Sequence, residues 1–224
     1  MKSLLLFLLV VLFALPTFAQ KDVTTFLGIP VDGTKAEVGR SLIEKGFSRT
    51  VVDEREFFEG GFNGNSVIVQ IGTNNNKVCR IMVLDSHSMN EADIKIRFNN
   101  LVGQFEKNRR YKLPETDYRI GDDVDLSYEM RVNNKRFEAV FYQLANPEVV
   151  ESRVNEMISK VLSADSLNNL SESKKNFVDA TYNYIETVQT LAKPVWFIID
   201  EEYGKYRICI YYDNKYNQAD GDDL

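Results

Sequence analysis

The chain has 224 residues, with 33 Asp and Glu against 27 Lys and Arg, so its formal net charge at pH 7 is −6. Its Lys and Arg residues are scattered along the sequence, which provides no basic footprint for nucleic acid, and we expect no nucleic-acid partner. The apolar fraction of 44% is ordinary for a globular core. The length suffices for one large or two small domains.

The N-terminus has the features of a secretory signal peptide. Lys2 gives a basic start, residues 4–15 are almost entirely apolar, and Ala19 supplies the small residue that precedes a cleavage site. The apolar run is shorter than the about 20 residues that a membrane-spanning helix needs, and a retained N-terminal anchor is the alternative. We therefore expect residues 1–19 to be removed and the mature protein to be soluble, not membrane-spanning, and periplasmic or secreted.

An extended segment at residues 20–33 leads into the first predicted helix. Thr34 and Glu37 have the spacing of a capping box, in which each side chain satisfies a backbone N–H group at the helix start. Gly46 suits the left-handed conformation that ends a helix. The sequence therefore predicts a helix between Thr34 and Gly46.

A meander of antiparallel strands is predicted next. Asn63 and Gly64 form a strong signal for a two-residue hairpin turn, because both positions tolerate positive φ. Residues 67–71 alternate apolar and polar side chains, and residues 78–84 are apolar on both faces apart from Arg80. The strand over residues 78–84 is therefore predicted to be central in its sheet.

A second helix and a second hairpin are predicted in the middle of the chain. Ser88 and Glu91 repeat the capping-box spacing, and apolar residues then recur at helical spacing at Ile94, Phe98, Leu101, Val102 and Phe105. Alternating apolar and polar side chains over residues 126–132 predict a half-buried strand. A turn at residues 133–134 connects it to a return strand over residues 137–141.

The last part of the chain is predicted to contain two helices and a hairpin. Asn146 and Pro147 occupy the preferred places of an N-cap and a first helical residue. The predicted apolar faces of the two helices are Val150, Val154, Met157 and Val161, and Phe177, Tyr184, Val188 and Leu191. The final hairpin consists of strands over residues 195–199 and 205–213.

This order of elements predicts an α+β fold, in which antiparallel strands carry helices on one face of the sheet. The unit of a helix followed by a meander recurs, without residue-level identity between its copies. We expect one domain over residues 34–224, with subdomains at 34–145 and 146–224 as the alternative.

Two cysteines, Cys79 and Cys209, lie in apolar segments that are predicted as strands. An extracytoplasmic location permits a disulfide between them. Two cysteines carry no disulfide framework, however, and a pair of buried free thiols is the other interpretation.

His87 is the single histidine of the chain, which excludes sites that need two imidazoles. We assign no catalytic residue, no metal site and no cofactor. Paired carboxylates are required for glycoside hydrolysis, and the residues that could supply them are Asp200, Glu201 and Glu202. Clustered carboxylates can also bind calcium, for which residues 220–223 are the candidate, although such clusters are usually only solvated.

Aromatic residues are frequent in the C-terminal part of the chain. Tyr206 and Tyr212 share a strand face with Ile208 and Ile210 and are predicted to lie in the core. The aromatic residues that remain as candidates for binding a sugar ring or a partner protein are Tyr203, Tyr211 and Tyr216.

Several motifs are spread over most of the mature chain. They are residues 26–34, Lys45-Gly46-Phe47, Phe62-Asn63-Gly64, Asn76-Lys77-Val78 and the ending from Tyr212 to Leu224. In these motifs the chain resembles a set of exported proteins from anaerobic gut bacteria that has no assigned activity. The resemblance implies no catalytic residue. In such a host Ser166, within Asp165-Ser166-Leu167, resembles an acceptor for O-glycosylation.

The capped helix followed by a meander also resembles the small envelope domains of the SmpA/OmlA and β-lactamase-inhibitor-protein type. Those domains bind other proteins, and the resemblance implies a similar architecture and suggests a similar role. The chain departs from them by its additional helix pair at residues 147–192.

These observations favour a non-catalytic binding module of the cell envelope whose partner is a protein or a glycan. The alternative is a carboxylate-dependent hydrolase that acts on glycans, and a self-assembling structural protein is a third hypothesis. The sequence leaves the identity of the ligand and the oligomeric state open.

Overall fold

The computed structural model describes residues 21–161 and 172–219; the signal segment, Ser166 and the carboxylates of residues 220–223 lie outside the described residues. The described strands are β1 (Thr25–Phe26), β2 (Ile29–Pro30), β3 (Ser48–Val52), β4 (Arg55–Phe62), β5 (Asn65–Asn74), β6 (Lys77–Asp85), β7 (Tyr111–Lys112), β8 (Glu138–Gln143), β9 (Pro194–Glu202) and β10 (Lys205–Asp213). The described helices are α1 (Lys35–Glu44), α2 (Glu91–Lys107), α3 (Leu126–Arg131), α4 (Pro147–Ser159) and α5 (Glu172–Leu191).

Eight strands form one antiparallel sheet in the order β3-β4-β5-β6-β10-β9-β8-β7, and β1 and β2 form a separate hairpin. Helices pack on the sheet, so the predicted α+β fold is confirmed. β6 lies in the interior of the sheet, as predicted, between β5 and β10. Because β10 pairs with β6, the sheet spans the boundary between residues 145 and 146.

The hydrophobic core lies between the sheet and the helices α1 and α2. Directly paired residues of six neighbouring strands form a buried row, which consists of Phe58, Val69, Val83, Ile210, Phe197 and Ala139. The apolar stripe predicted for the second helix is found on α2, and it packs into this core. We call this side of the sheet the inner face and the opposite side the outer face.

The predicted capping box is present at the start of α1. The side chain of Thr34 accepts a hydrogen bond from the backbone N–H of Glu37, and the carboxylate of Glu37 accepts one from the N–H of Thr34. These hydrogen bonds lower the pKa of Glu37. The hairpin turn at Asn63 and Gly64 is also confirmed, with φ of 51° and 77°.

The prediction of a strand over residues 126–132 is wrong, because Leu126–Arg131 forms the helix α3. The side chain of Asp125 caps the helix by accepting a hydrogen bond from Tyr128 N–H. Leu126 is buried and Met130 packs on the core, whereas Tyr128 is exposed. Apolar residues four positions apart fit one face of a helix as well as one face of a strand, so the alternation could not distinguish the two.

The N-cap of α2 is Asn90 rather than Ser88, as the side chain of Asn90 accepts the N–H of Asp93. The reason lies in the preceding residue. Met89 exchanges two backbone hydrogen bonds with Tyr206 in an isolated β-bridge, which holds the chain extended and delays the helix start.

The helices α4 and α5 pack against each other around a small apolar cluster. Val150, Val154 and Ile158 of α4 are buried against a face of α5 that consists of Val178, Tyr182 and Ile185. The faces predicted from the sequence are wrong in part, since the side chains of Met157, Val161, Phe177, Tyr184, Val188 and Leu191 are exposed. In the part of the chain that the structure describes, no helix combines the length and apolar character needed to cross a bilayer.

Candidate functional site

A cavity of about 660 Å³ lies beside the inner face of the sheet, between the C-terminal half of α2 and the β1–β2 hairpin. Its apolar wall includes Phe62, Leu101, Phe105 and Leu144. This volume is within the range of roughly 300–1,000 Å³ that is typical of small-molecule sites. We refer to it as the α2 cavity.

The β1–β2 hairpin forms one wall of the α2 cavity through its two-residue turn. The turn residues Leu27 and Gly28 have φ of 52° and 81°, as expected for a type I′ turn, in which asparagine followed by glycine is preferred. Leucine is disfavoured in this left-handed conformation, because its Cβ crowds the backbone. Leu27 nevertheless lies at the cavity, and its side chain is 40% exposed.

A buried ion pair fixes the chain just before this hairpin. Lys193 Nζ lies 2.6 Å from Asp22 Oδ1 and also donates to the carbonyl oxygen of Leu144. The other carboxylate oxygen of Asp22 accepts the backbone N–H of Asn146. Both charged side chains are almost fully buried, and removing one partner of such a pair typically costs about 3–5 kcal/mol. The ion pair therefore ties the N-terminal segment to the ends of β8 and β9.

Gln143 holds the hairpin itself in place through its side-chain amide. Its Oε1 accepts the backbone N–H of Thr25 at 2.9 Å, and its Nε2 donates to the carbonyl oxygen of Thr25 at 2.8 Å. The amide thus pairs with the backbone of β1 as a neighbouring strand would. Within the segment that was expected to be extended at residues 20–33, residues 25–30 therefore form a hairpin that borders the α2 cavity.

Two phenol groups also line the α2 cavity. Burial raises the pKa of Tyr111, whose hydroxyl accepts a hydrogen bond from Gln143 Nε2. Burial also raises the pKa of Tyr212, and the neighbouring phenol of Tyr111 adds to the effect. A phenol is uncharged at neutral pH and a raised pKa keeps it so, and the two groups therefore bring hydrogen-bonding capacity but no negative charge.

The charged residues that line the α2 cavity are all cationic. They are Arg109, Arg110 and Lys193, and no Asp or Glu is found among the described residues of the lining. Lys193 is neutralised by Asp22. Arg109 and Arg110 are exposed and have no salt bridge to any carboxylate of residues 21–161 and 172–219.

A tight turn presents the two arginines. The N–H of Tyr111 donates to the carbonyl oxygen of Asn108, and the N–H of Arg110 donates to the side-chain oxygen of Asn108. The carbonyl oxygen of Arg110 accepts the N–H of Leu144. The backbone of the turn is thus fixed at both of its ends next to the cavity.

The three tyrosines predicted as binding residues are not brought together by the fold. Tyr203 lies in the β9–β10 turn and is 94% exposed. Tyr216 lies in a 3₁₀ turn after β10, where its hydroxyl donates to Gln189 and Lys21 approaches its ring. Tyr211 lies on the outer face of β10, and none of the three lines the α2 cavity.

Tyr211 belongs to a compact cluster on the outer face. Its ring stacks on Trp196 with 4.1 Å between the ring centroids, and the guanidinium of Arg80 lies 4.9 Å from its centroid. Asp213 accepts hydrogen bonds from both Arg80 and Trp196 Nε1. The ring of Tyr211 is therefore engaged by neighbouring side chains and does not lie free as a flat platform for a sugar.

Cys79 and Cys209 are both free thiols. Cys209 pairs directly with Leu84 of β6, which is five positions beyond Cys79 along the same strand. At about 3.3 Å per residue the Cα atoms are separated by about 16 Å, whereas a disulfide requires less than about 7 Å. The disulfide that the sequence permitted is therefore not formed. Burial raises the pKa of Cys209 to about 11, so this thiol stays protonated at neutral pH.

The carboxylates considered for hydrolysis lie at the end of the β9–β10 hairpin, away from the α2 cavity. Glu201 accepts hydrogen bonds from Arg131 and from the N–H of Gly204, and these lower its pKa. Glu202 pairs with Arg207. Among the residues described by the structure there is no group of three or more His, Cys, Asp or Glu side chains that could hold a metal ion.

The residues that line the α2 cavity were not among the binding residues predicted from the sequence. One signal was present, since residues 107–112 include Lys107, Arg109, Arg110 and Lys112, a local excess of positive charge in an acidic chain. The role of Gln143 carries no comparable signal, because its partner Thr25 is distant in sequence.

Comparison of the chain with known proteins found no match. No protein-family model, no curated protein and no solved structure matches the chain. The resemblance to exported proteins of gut bacteria and to envelope domains therefore stays a prediction from the sequence.

Proposed function

We propose that this chain is an exported, non-catalytic binding protein of the cell envelope that holds a small, largely apolar ligand in the α2 cavity. The observation that supports the proposal best is a cavity of about 660 Å³ whose lining combines apolar side chains with amide, phenol and cationic groups and includes no carboxylate among the described residues. Pockets of this kind bury most of the surface of a small ligand.

The arrangement of the cavity favours binding over hydrolysis. Carboxylate-dependent hydrolysis needs two carboxyl groups within about 5–10 Å of each other around the scissile bond. The described lining of the α2 cavity has no carboxylate, and its phenol groups have raised pKa values. Asp200, Glu201 and Glu202 would have to act elsewhere, on a surface where Glu201 is held by Arg131.

The proposed location rests on the first part of the sequence. The basic start, the apolar residues 4–15 and Ala19 are the parts of a signal peptide. Asp22 follows Ala19 closely and is buried in the ion pair with Lys193, so cleavage after Ala19 leaves all residues of the structured hairpin intact. N-terminal sequencing of protein from an envelope fraction is expected to begin at Gln20.

The cavity can be tested with a neutral, apolar fluorophore such as N-phenyl-1-naphthylamine and the mature protein. The side chain of Leu144 lines the cavity and is 44% exposed, so a polar residue at this position keeps access to water. We expect Leu144→Asn to weaken binding of the fluorophore several-fold, since an apolar side chain of the cavity wall is replaced by a polar one.

Leu191→Asn is the matched control. Leu191 is the last residue of α5, its side chain is 40% exposed, and it does not line the cavity. This control should bind the fluorophore as the unmodified protein does. Equal affinities of the two variants, or no binding by the unmodified protein, would contradict the proposed function.

A further inference from the structure

A positively charged turn lies at the mouth of the α2 cavity. Residues 107–112 contain four cations, and Arg109 and Arg110 line the cavity itself. The cavity therefore combines an apolar wall, which includes Leu101 and Phe105, with exposed cationic groups at its mouth. The whole chain has a net charge of −6, so this local excess is opposite in sign to the rest of the molecule.

Known structural roles account for only part of this charge. The cations follow the C-terminus of α2, where the helix dipole is equivalent to about half a negative charge. That half charge offsets only a small part of the positive charge of the four side chains. The nearest carboxylate in sequence is that of Glu106, which precedes these cations on α2 and is already paired with Arg119.

The two guanidinium groups suit one class of chemical group. A guanidinium presents paired N–H donors that match the two oxygens of a carboxylate or a phosphate. Because the backbone of the turn is held by Asn108 and by Leu144, the arginines are presented from a fixed position. An anion bound there would leave an attached apolar chain beside Leu27 and Leu144, which line the cavity.

We infer that the ligand of the α2 cavity is an amphiphile, with an apolar body inside the cavity and an anionic head group bound by Arg109 and Arg110. This inference rests on the proposed function, because it assigns the ligand class of the same site. The head group is a carboxylate or a phosphate monoester, and the apolar body is an aliphatic chain that the apolar wall can accept.

Competition against N-phenyl-1-naphthylamine tests this ligand class on the mature protein. The competitors are decanoate, decyl phosphate, 1-decanol and decylammonium, with the ionic compounds below their critical micelle concentrations and 1-decanol below its solubility limit. We expect at least one of the two anions to displace the fluorophore at a concentration about tenfold lower than the neutral alcohol, and decylammonium to be the weakest. The preferred anion identifies the head group. The preference should shrink as salt is raised, because the arginines are exposed.

Substitution of the arginines separates this inference from the proposed function. In Arg109→Gln/Arg110→Gln the anion should lose its advantage over 1-decanol, while the neutral fluorophore binds as before. Lys205→Gln, which removes one positive charge away from the cavity, is the control. Lys205 lies near the N-terminus of α2, because the adjoining Tyr206 bonds to Met89 just before that helix. The arginines lie at the other end of α2, which spans 17 residues or about 25 Å.

The outcomes distinguish the two claims. If the fluorophore binds and the anions compete no better than 1-decanol, or if the double variant keeps the preference, the ligand class is wrong and the cavity remains a binding site. If the unmodified protein does not bind the fluorophore, the proposed function and the inference both fail.

Discussion

Leu27 and Tyr203 occupy equivalent positions in two hairpin turns. Each is the first central residue of a two-residue turn, with φ of 52°, and each precedes a glycine. Asparagine is the preferred residue at this position. The left-handed conformation costs a residue with a Cβ about 1 kcal/mol. The difference between the two lies in their surroundings, since Leu27 lines the α2 cavity and Tyr203 is almost fully exposed.

We expect Leu27→Asn to stabilise the protein slightly and to weaken binding of the neutral fluorophore. The free energy of unfolding in urea should rise by up to about 1 kcal/mol, because asparagine tolerates the left-handed conformation. Fluorophore affinity should fall by a few-fold, because an apolar side chain of the cavity wall is replaced by a polar one.

Tyr203→Asn serves as the control for this substitution. It relieves the same conformation in the same type of turn and should raise stability by a similar amount, with unchanged fluorophore affinity. A Leu27→Asn protein that binds the fluorophore as tightly as the Tyr203→Asn protein would show that Leu27 is not a ligand contact.

The helix α5 illustrates how an element can be predicted correctly and its buried face incorrectly. The sequence predicted that Phe177, Tyr184, Val188 and Leu191 form the packing face, yet these side chains are exposed. The cluster with α4 uses Val178, Tyr182 and Ile185 instead. The apolar residues of α5 extend around more of the helix than one partner helix can cover, so periodicity alone could not identify the side that α4 contacts.

We expect Ile185→Ala and Tyr184→Ala to differ in stability. Ile185 packs on the buried residues of α4, so its truncation should lower the free energy of unfolding by about 2 kcal/mol. Tyr184 is 62% exposed, and its truncation should change that free energy by at most about 0.5 kcal/mol. Urea denaturation monitored by circular dichroism measures both. A larger loss for Tyr184→Ala would contradict the orientation of α5.

Local signals predicted most of the elements, and the failures have identifiable causes. Capping at Thr34 and turn chemistry at Asn63 depend on residues close together in sequence, and both were predicted. The segment at residues 126–132 failed because its apolar residues fit two periodicities and its helix start is fixed by Asp125 together with Glu91, which accepts the N–H of Leu126. A contact with a residue this distant in sequence cannot be predicted from a local pattern.

At the scale of the whole molecule, the α2 cavity is assembled from segments that are distant in sequence. The N-terminal hairpin, the end of α2 and the ends of β8 and β9 meet there. The contacts that hold them, between Asp22 and Lys193 and between Thr25 and Gln143, span more than 100 residues each. Local sequence patterns indicate candidate residues one segment at a time, which is why the binding residues predicted from the sequence were Tyr203, Tyr211 and Tyr216 in the aromatic C-terminal region.

The central claim is that ligands bind in the α2 cavity and not on the outer face of the sheet. Amide chemical shifts of the isotope-labelled mature protein, titrated with N-phenyl-1-naphthylamine, test this claim residue by residue. We predict that the shifted amides are those of Leu27, Gly28, Gly61 and Tyr111, with Tyr203 and Tyr211 unchanged. Shifts confined to Trp196, Tyr211 and their neighbours on the outer face would contradict the account.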